Sequence, residues 1–242
     1  MTQLLISVKN AEEALIALQA GADIIDLKDP NVGALGALAA EETRLIVQAI
    51  DGLARLSSTV GEQHVTLNDL VMDIEARAEM GIDIIKIAVS ELFYDKGFLL
   101  EMAKLSIVNI KIVAVFFADT ALDLSLLALL QKAGFYGAML DTQNKQNNLL
   151  EVRTKRTLRL FTQLCHQYHL KSGLAGSLRP QHIELLAKYN PTYIGFRGGV
   201  CENLVRNSAL TSTKVMEIKN MLHEHNKNKE KPQLILQLAL HS

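Results

Sequence analysis

Eight short β-branched runs, each followed by a longer stretch of helical periodicity, predict an α/β chain folded as a single (β/α)8 TIM barrel with a short C-terminal tail. A device that stops a helix and starts a strand occurs twice, as GADIID at 21–26 and GIDIIK at 81–86. The chain has 242 residues, 49% of them apolar. That is close to the roughly 250 residues over which such a barrel closes around one core.

Taken in order, the expected strands are Leu4 to Val8, Asp23 to Lys28, Leu53 to Val60, Asp83 to Val89, Lys111 to Phe117, Gly137 to Thr142, Lys171 to Ser177 and Tyr193 to Arg197. Each is short and mostly rich in residues that favour a pleated, buried surface. The stretch from Ala11 to Ala20 places Ala14, Leu15 and Leu18 at helical spacing and stops at Gly21, and Leu67 to Met80 stops likewise at Gly81. The barrel is expected over 1–225. A polar link at Asn226 to Lys231 and then Pro232 introduce a tail over 226–242 whose apolar run, 233–240, fits either packing on the barrel's own helices or a contact in a homo-oligomer.

A formal net charge of −1 gives no general attraction for nucleic acid, so any phosphate binding is expected to be local. Cys165 and Cys201 are far apart and outside any CxxC spacing, which points to a reducing, cytoplasmic setting rather than a disulfide framework. Met1 to Val8 carries no basic leader and no apolar run of signal-peptide length, and no segment reaches the length of a membrane span.

The chemistry-bearing residues cluster at strand ends. Alternate residues of a strand share a face, so Asp26 and Lys28 point the same way. Counting from the glycine stops puts Lys86 level with Asp26 and Lys28 one layer higher, and counting from Gly134 puts Asp141 level with Lys28. All three strands are even-numbered and share interior layers of a barrel, so two amines and two carboxylates should converge at its active end. An amine there, among apolar walls, is suited to covalent carbonyl chemistry. Taken one at a time, each lysine also fits a solvated or salt-bridged surface residue, and Asp141 fits a backbone cap. Lys145 reads as a solvated charge on pattern alone.

Two glycine-bearing segments, 173–177 and 197–199, close the seventh and eighth strands, where barrels frequently bind phosphate on backbone N–H groups. Their glycines also suit tight turns, and Arg197 could instead pair with a carboxylate. No GxxxxGK[ST] loop is present. His166 and His169 lack a third metal ligand at any recognisable spacing, so no metal is expected and all seven histidines are read as ordinary. Neither a G-x-S-x-G elbow nor a partnered cysteine points to acyl transfer.

The ordered set IIDLKDP, STVG, DIIKIAV, MLDT, GLAGS and GFRGG resembles the (5-formylfuran-3-yl)methyl phosphate synthase family, also called 4-(hydroxymethyl)-2-furancarboxaldehyde phosphate synthase. The resemblance runs from about Leu4 to the last barrel helix. It implies a barrel enzyme of methanofuran-type cofactor biosynthesis that condenses two molecules of glyceraldehyde 3-phosphate without a cofactor. It further implies that Lys28 forms a Schiff base, that Lys86 transfers protons, and that Asp26, Asp141 and Lys145 line the site. Gly176, Ser177, Arg197 and Gly198 match the family's phosphate-binding loops. The segment from Val200 to Leu210 departs from the glycine-rich pattern, though Arg206-Asn207 is retained. On the residues alone, a class I aldolase or isomerase acting on a sugar phosphate, or a noncatalytic phosphosugar-binding barrel, stays open.

Overall fold

The computed structural model describes the backbone of residues 1–62, 64 and 66–240, and the side chains through residue 229. Eight parallel strands close into a barrel in chain order: β1 (Gln3–Val8), β2 (Ile24–Leu27), β3 (Arg55–Thr59), β4 (Ile84–Ala88), β5 (Lys111–Phe117), β6 (Gly137–Asp141), β7 (Lys171–Leu174) and β8 (Tyr193–Phe196). Around them lie α1 (Ala11–Gln19), α2 (Ala40–Ile50), α3 (Leu67–Glu79), α4 (Lys96–Ile107), α5 (Leu126–Lys132), α6 (Leu149–Val152), α7 (Lys155–Gln167), α8 (Ile183–Ala187) and α9 (Ser212–Leu240). The sequence places all eight strands correctly and overextends several ends. Lys28, Thr142 and Arg197 lie just past their strands, and β7 stops at Leu174 because Gly176 and Ser177 turn the chain into positive φ.

The repeated glycine device has a local physical cause. Gly21, Gly81 and Gly134 all have positive φ, at 87°, 95° and 73°. In each case the next residue's N–H reaches back to a carbonyl of the preceding turn: Ala22 to Ala17, Ile82 to Arg77, and Phe135 to Leu130. This is the paired closure that lets a helix end with its last carbonyls satisfied. The aspartates that follow are working parts of the device as well. Asp23 accepts from the Leu4 N–H and Asp83 from the Leu56 N–H, both at 2.8 Å, so each ties its own strand to the start of the preceding one.

Two apolar layers follow. The larger lies between strands and helices and includes Ile6, Ile25, Leu27, Ile46, Ile85, Phe98 and Phe161. The smaller fills the barrel's lower interior with Leu5, Ile24, Ile84, Val113, Met139 and Tyr193. Above that apolar floor the interior becomes ionic, towards the carboxyl ends of the strands.

The expected polar link at 226–231 is instead a continuation of α9. Asn226 is buried, and its amide exchanges two 3.0 Å hydrogen bonds with the backbone of Thr2, which fastens α9 across the start of β1. The packing expected of the apolar run at 233–240 lies outside the described residues. Among the described residues, no helix is long and apolar enough to cross a membrane. Both cysteines are buried and unbonded to each other.

Candidate active site

Parallel pairing sets Ser7, Asp26 and Ser57 side by side on β1, β2 and β3. Both serine hydroxyls donate to the Asp26 carboxylate, at 2.8 and 2.7 Å. Lys86, from β4, completes the cluster with its Nζ 2.6 Å from Asp26 Oδ1. Its side chain is 2% exposed, and that of Asp26 is 1% exposed. Burial is the largest influence on the Lys86 amine and lowers its pKa from the usual lysine value. The Asp26 carboxylate opposes the shift, and the charge of Lys28 adds to it.

One layer towards the barrel mouth, Lys28 places Nζ 3.2 Å from Asp141 Oδ2. The other oxygen of Asp141 accepts from Lys145 Nζ at 2.8 Å and from the Thr142 N–H at 2.8 Å. Burial favours the protonated Asp141 carboxyl, but the Lys145 and Lys28 ammonium groups outweigh it and hold its pKa well below the usual carboxylate range. Burial also lowers the pKa of Lys145, against the pull of Asp141. The pairings follow the levels counted from the glycine stops, Lys86 with Asp26 and Lys28 with Asp141. Lys145 departs from its reading as a solvated charge: its ammonium turns inward, donates also to the Thr142 carbonyl, and is largely buried.

These groups form the floor of a cavity of about 540 Å³, and the β7 and β8 loops form its rim. Gly176 has φ of 113°, and a Cβ there would lie 2.8 Å from Thr142, so both its conformation and its space require glycine. The backbone N–H groups of Gly176, Ser177, Gly198 and Gly199 have no hydrogen-bond acceptor among the described residues. Successive N–H groups left open in this way form an anion-binding concavity.

Arg197 does not face that concavity with free donors. Its Nη1 and Nη2 grip both carboxylate oxygens of Glu13, its Nε donates to the Arg206 carbonyl at 2.7 Å, and its remaining donors reach the carbonyls of Ser7 and Ser208, each at 3.2 Å. A guanidinium has five N–H donors, and all five are engaged. In this arrangement the side chain takes the alternative that the sequence left open, a pair with a carboxylate.

Several site residues carry little signal in the sequence. Ser7 and Ser57 are hydroxyls at inward positions of apolar strands, a cue that needs the strand register to interpret. His182, set aside with the other histidines, lines the cavity and accepts the Arg179 N–H on Nδ1 at 3.2 Å, which leaves its proton on Nε2. Arg206 also lines the cavity, from the segment that follows β8.

Known proteins match this geometry at two levels. A Methylorubrum extorquens protein provisionally named (5-formylfuran-3-yl)methyl phosphate synthase is 40% identical over 216 residues, covering 89% of each chain. Proteins named (5-formylfuran-3-yl)methyl phosphate synthase from Methanosarcina mazei and Methanocaldococcus jannaschii are 32% and 31% identical. The first match covers 82% of this chain and 90% of the relative, the second 85% and 92%. Among solved structures, phosphoribosyl anthranilate isomerase from Thermus thermophilus superposes with a TM-score of 0.64 at 13% identity, over 92% of this chain and 99% of its own. The 3-hexulose-6-phosphate synthase from Salmonella typhimurium does so with 0.65 at 13%, over 93% and 100%. At such identities the superpositions speak to the barrel alone. The family model for 4-HFC-P synthase matches residues 4–219, from the first strand into the last helix. The chain belongs to the 4-HFC-P synthase family.

Proposed function

We propose that the protein joins two molecules of glyceraldehyde 3-phosphate into (5-formylfuran-3-yl)methyl phosphate, through a Schiff base on Lys28, as a lyase-type step of methanofuran-type cofactor biosynthesis. The observation that carries this reading is the two-storey lysine arrangement. Lys28 lies one layer nearer the mouth, paired to a carboxylate it shares with Lys145, and Lys86 lies beneath it with a pKa lowered chiefly by burial. An amine that attacks a carbonyl must be reached by substrate, and a group that moves protons to and from the adduct can sit behind it.

In this mechanism the unprotonated Lys28 amine adds to the triose aldehyde and water leaves, giving an iminium. The iminium is the electron sink, so the neighbouring carbon loses a proton to Lys86 and an enamine forms. Phosphate then leaves that triose to give an enol, whose terminal carbon joins the C2 carbonyl of the second triose after that triose has shifted its carbonyl from C1 to C2. Ring closure with loss of two waters forms the furan, and hydrolysis of the imine, which returns the water lost in its formation, regenerates Lys28. Overall, two triose phosphates yield one furan aldehyde phosphate, one inorganic phosphate and two waters. The balance contains no net oxidation, so no external electron carrier is required. Asp26 and Asp141 orient the amines, and the open N–H groups of Gly176, Ser177 and Gly198 receive the substrate phosphate.

The test is incubation of purified enzyme with glyceraldehyde 3-phosphate alone. An ultraviolet-absorbing furan aldehyde and inorganic phosphate should rise together in equal amounts, and borohydride added during turnover should attach triose carbon to Lys28 and to no other lysine. A hexose bisphosphate or dihydroxyacetone phosphate as the sole product would refute the synthase reading. A trapped adduct that survives Lys28→Ala would refute the assignment of Lys28.

A further inference from the structure

We infer that Arg206 is the side chain that grips the substrate phosphate, and that Arg197 serves it as a positioning residue. The inference rests on the reading that the substrate carries phosphate, and it deepens that reading by naming the cation that recognises the anion.

The two arginines stand in opposite states. Arg197 has no donor left for a ligand, because two groups of its fork hold Glu13 and the other three donors hold carbonyl oxygens. The Arg206 guanidinium makes one hydrogen bond among the described residues, from Nη2 to the Gly33 carbonyl at 3.1 Å, and the rest of its donors are open there. It is half-buried and lines the cavity that holds Lys28, Asp141 and the open N–H groups of the β7 and β8 loops. Its backbone sits against one of those groups: a Cβ placed on Gly198 would lie 3.6 Å from both the N and the Cβ of Arg206.

The connection between the two arginines is direct. Arg197 Nε donates to the Arg206 carbonyl at 2.7 Å, so the clamp on Glu13 of α1 fixes the backbone from which the second guanidinium projects. A planar fork held at the edge of a backbone anion cradle is the arrangement that binds a phosphate with paired, charge-assisted hydrogen bonds.

The experiment pairs Arg206→Ala and Arg206→Lys with the unaltered enzyme. Two quantities are read: the Kd for inorganic phosphate by calorimetry, and KM and kcat for glyceraldehyde 3-phosphate. Arg206→Ala should weaken both phosphate affinity and KM by roughly ten- to a hundredfold, the scale of a charge-assisted contact, with thermal stability little changed. Arg206→Lys should recover only part, because an ammonium restores the charge and not the fork. Wild-type phosphate affinity in a folded Arg206→Ala protein would overturn the inference. Should that variant fail to fold, wild-type affinity in Arg206→Gln would overturn it equally. Failure of the functional reading shows elsewhere: an enzyme that forms no furan aldehyde yet loses phosphate affinity in Arg206→Ala keeps the arginine assignment and discards the reaction. Furan formation with an unchanged KM in Arg206→Ala does the reverse.

Discussion

Replacing Arg197 by Met removes the charge while leaving an unbranched apolar stem in place of the buried methylenes. The Glu13 side chain, 4% exposed, then loses two guanidinium donors and keeps the Lys9 N–H at 3.0 Å, with Lys9 Nζ at 3.9 Å. The carbonyls of Ser7, Arg206 and Ser208 lose a donor as well. Breaking a buried ion pair by removing one partner costs about 3 to 5 kcal/mol, chiefly because the other charge stays behind without compensation. For a chain of this size about 1 kcal/mol lowers Tm by roughly 2 to 4 °C, so the expected fall is about 6 to 20 °C. Thermal unfolding followed by circular dichroism measures it directly. Adding Glu13→Gln to Arg197→Met removes the stranded charge and should recover most of the loss, a non-additivity that a merely local packing defect would not produce. A Tm within about 2 °C of wild type, together with a raised KM for substrate, would refute the argument and return Arg197 to the role of a phosphate ligand.

Two predictions concern protonation. Because burial lowers the pKa of Lys86, the rate of a step that uses its neutral amine should rise with pH through a midpoint below 10.5. Asp26 opposes that shift, so Asp26→Asn should move the limb further down, and a pH–kcat profile that moves up would exclude Lys86 as the titrating base. Asp141 is the acid-side counterpart: its pKa lies below the ordinary 3.8, so its ion pairs contribute stability above that value and lose it as the pH falls below. Asp141→Asn should therefore be less stable at pH 7 and show a flatter decline between about pH 4 and pH 2, read as urea midpoints. An acid limb as steep as that of wild type would count against the pairing with Lys28 and Lys145.

Much of the barrel was legible because its punctuation is local. A glycine at positive φ, an aspartate that ties one strand to the last, and an Ile-Ile run all act within a few residues, so GADIID and GIDIIK disclose their role without a partner. The same helix closure at Asn109 and His169, with φ of 66° and 57°, carries no glycine and is invisible to that reading, because those side chains are only occasionally placed in the left-handed region. His169 thereby turns the chain just beyond α7, which ends at Gln167.

Sequence alone determined the strand order and the matching of Lys86 to Asp26 and of Lys28 to Asp141, since β2, β4 and β6 each start from an equivalent glycine cap and side chains alternate with a period of two. The three-dimensional fold decided which charged groups are already occupied. Lys145 turned inward because Asp141 and the Thr142 carbonyl gather its ammonium at the cavity floor. Arg197 was withdrawn because Glu13, 184 residues away on α1, is packed against it. Whether a guanidinium has donors to offer a ligand depends on acceptors supplied by distant parts of the chain, and only closure of the barrel brings those acceptors within hydrogen-bond reach.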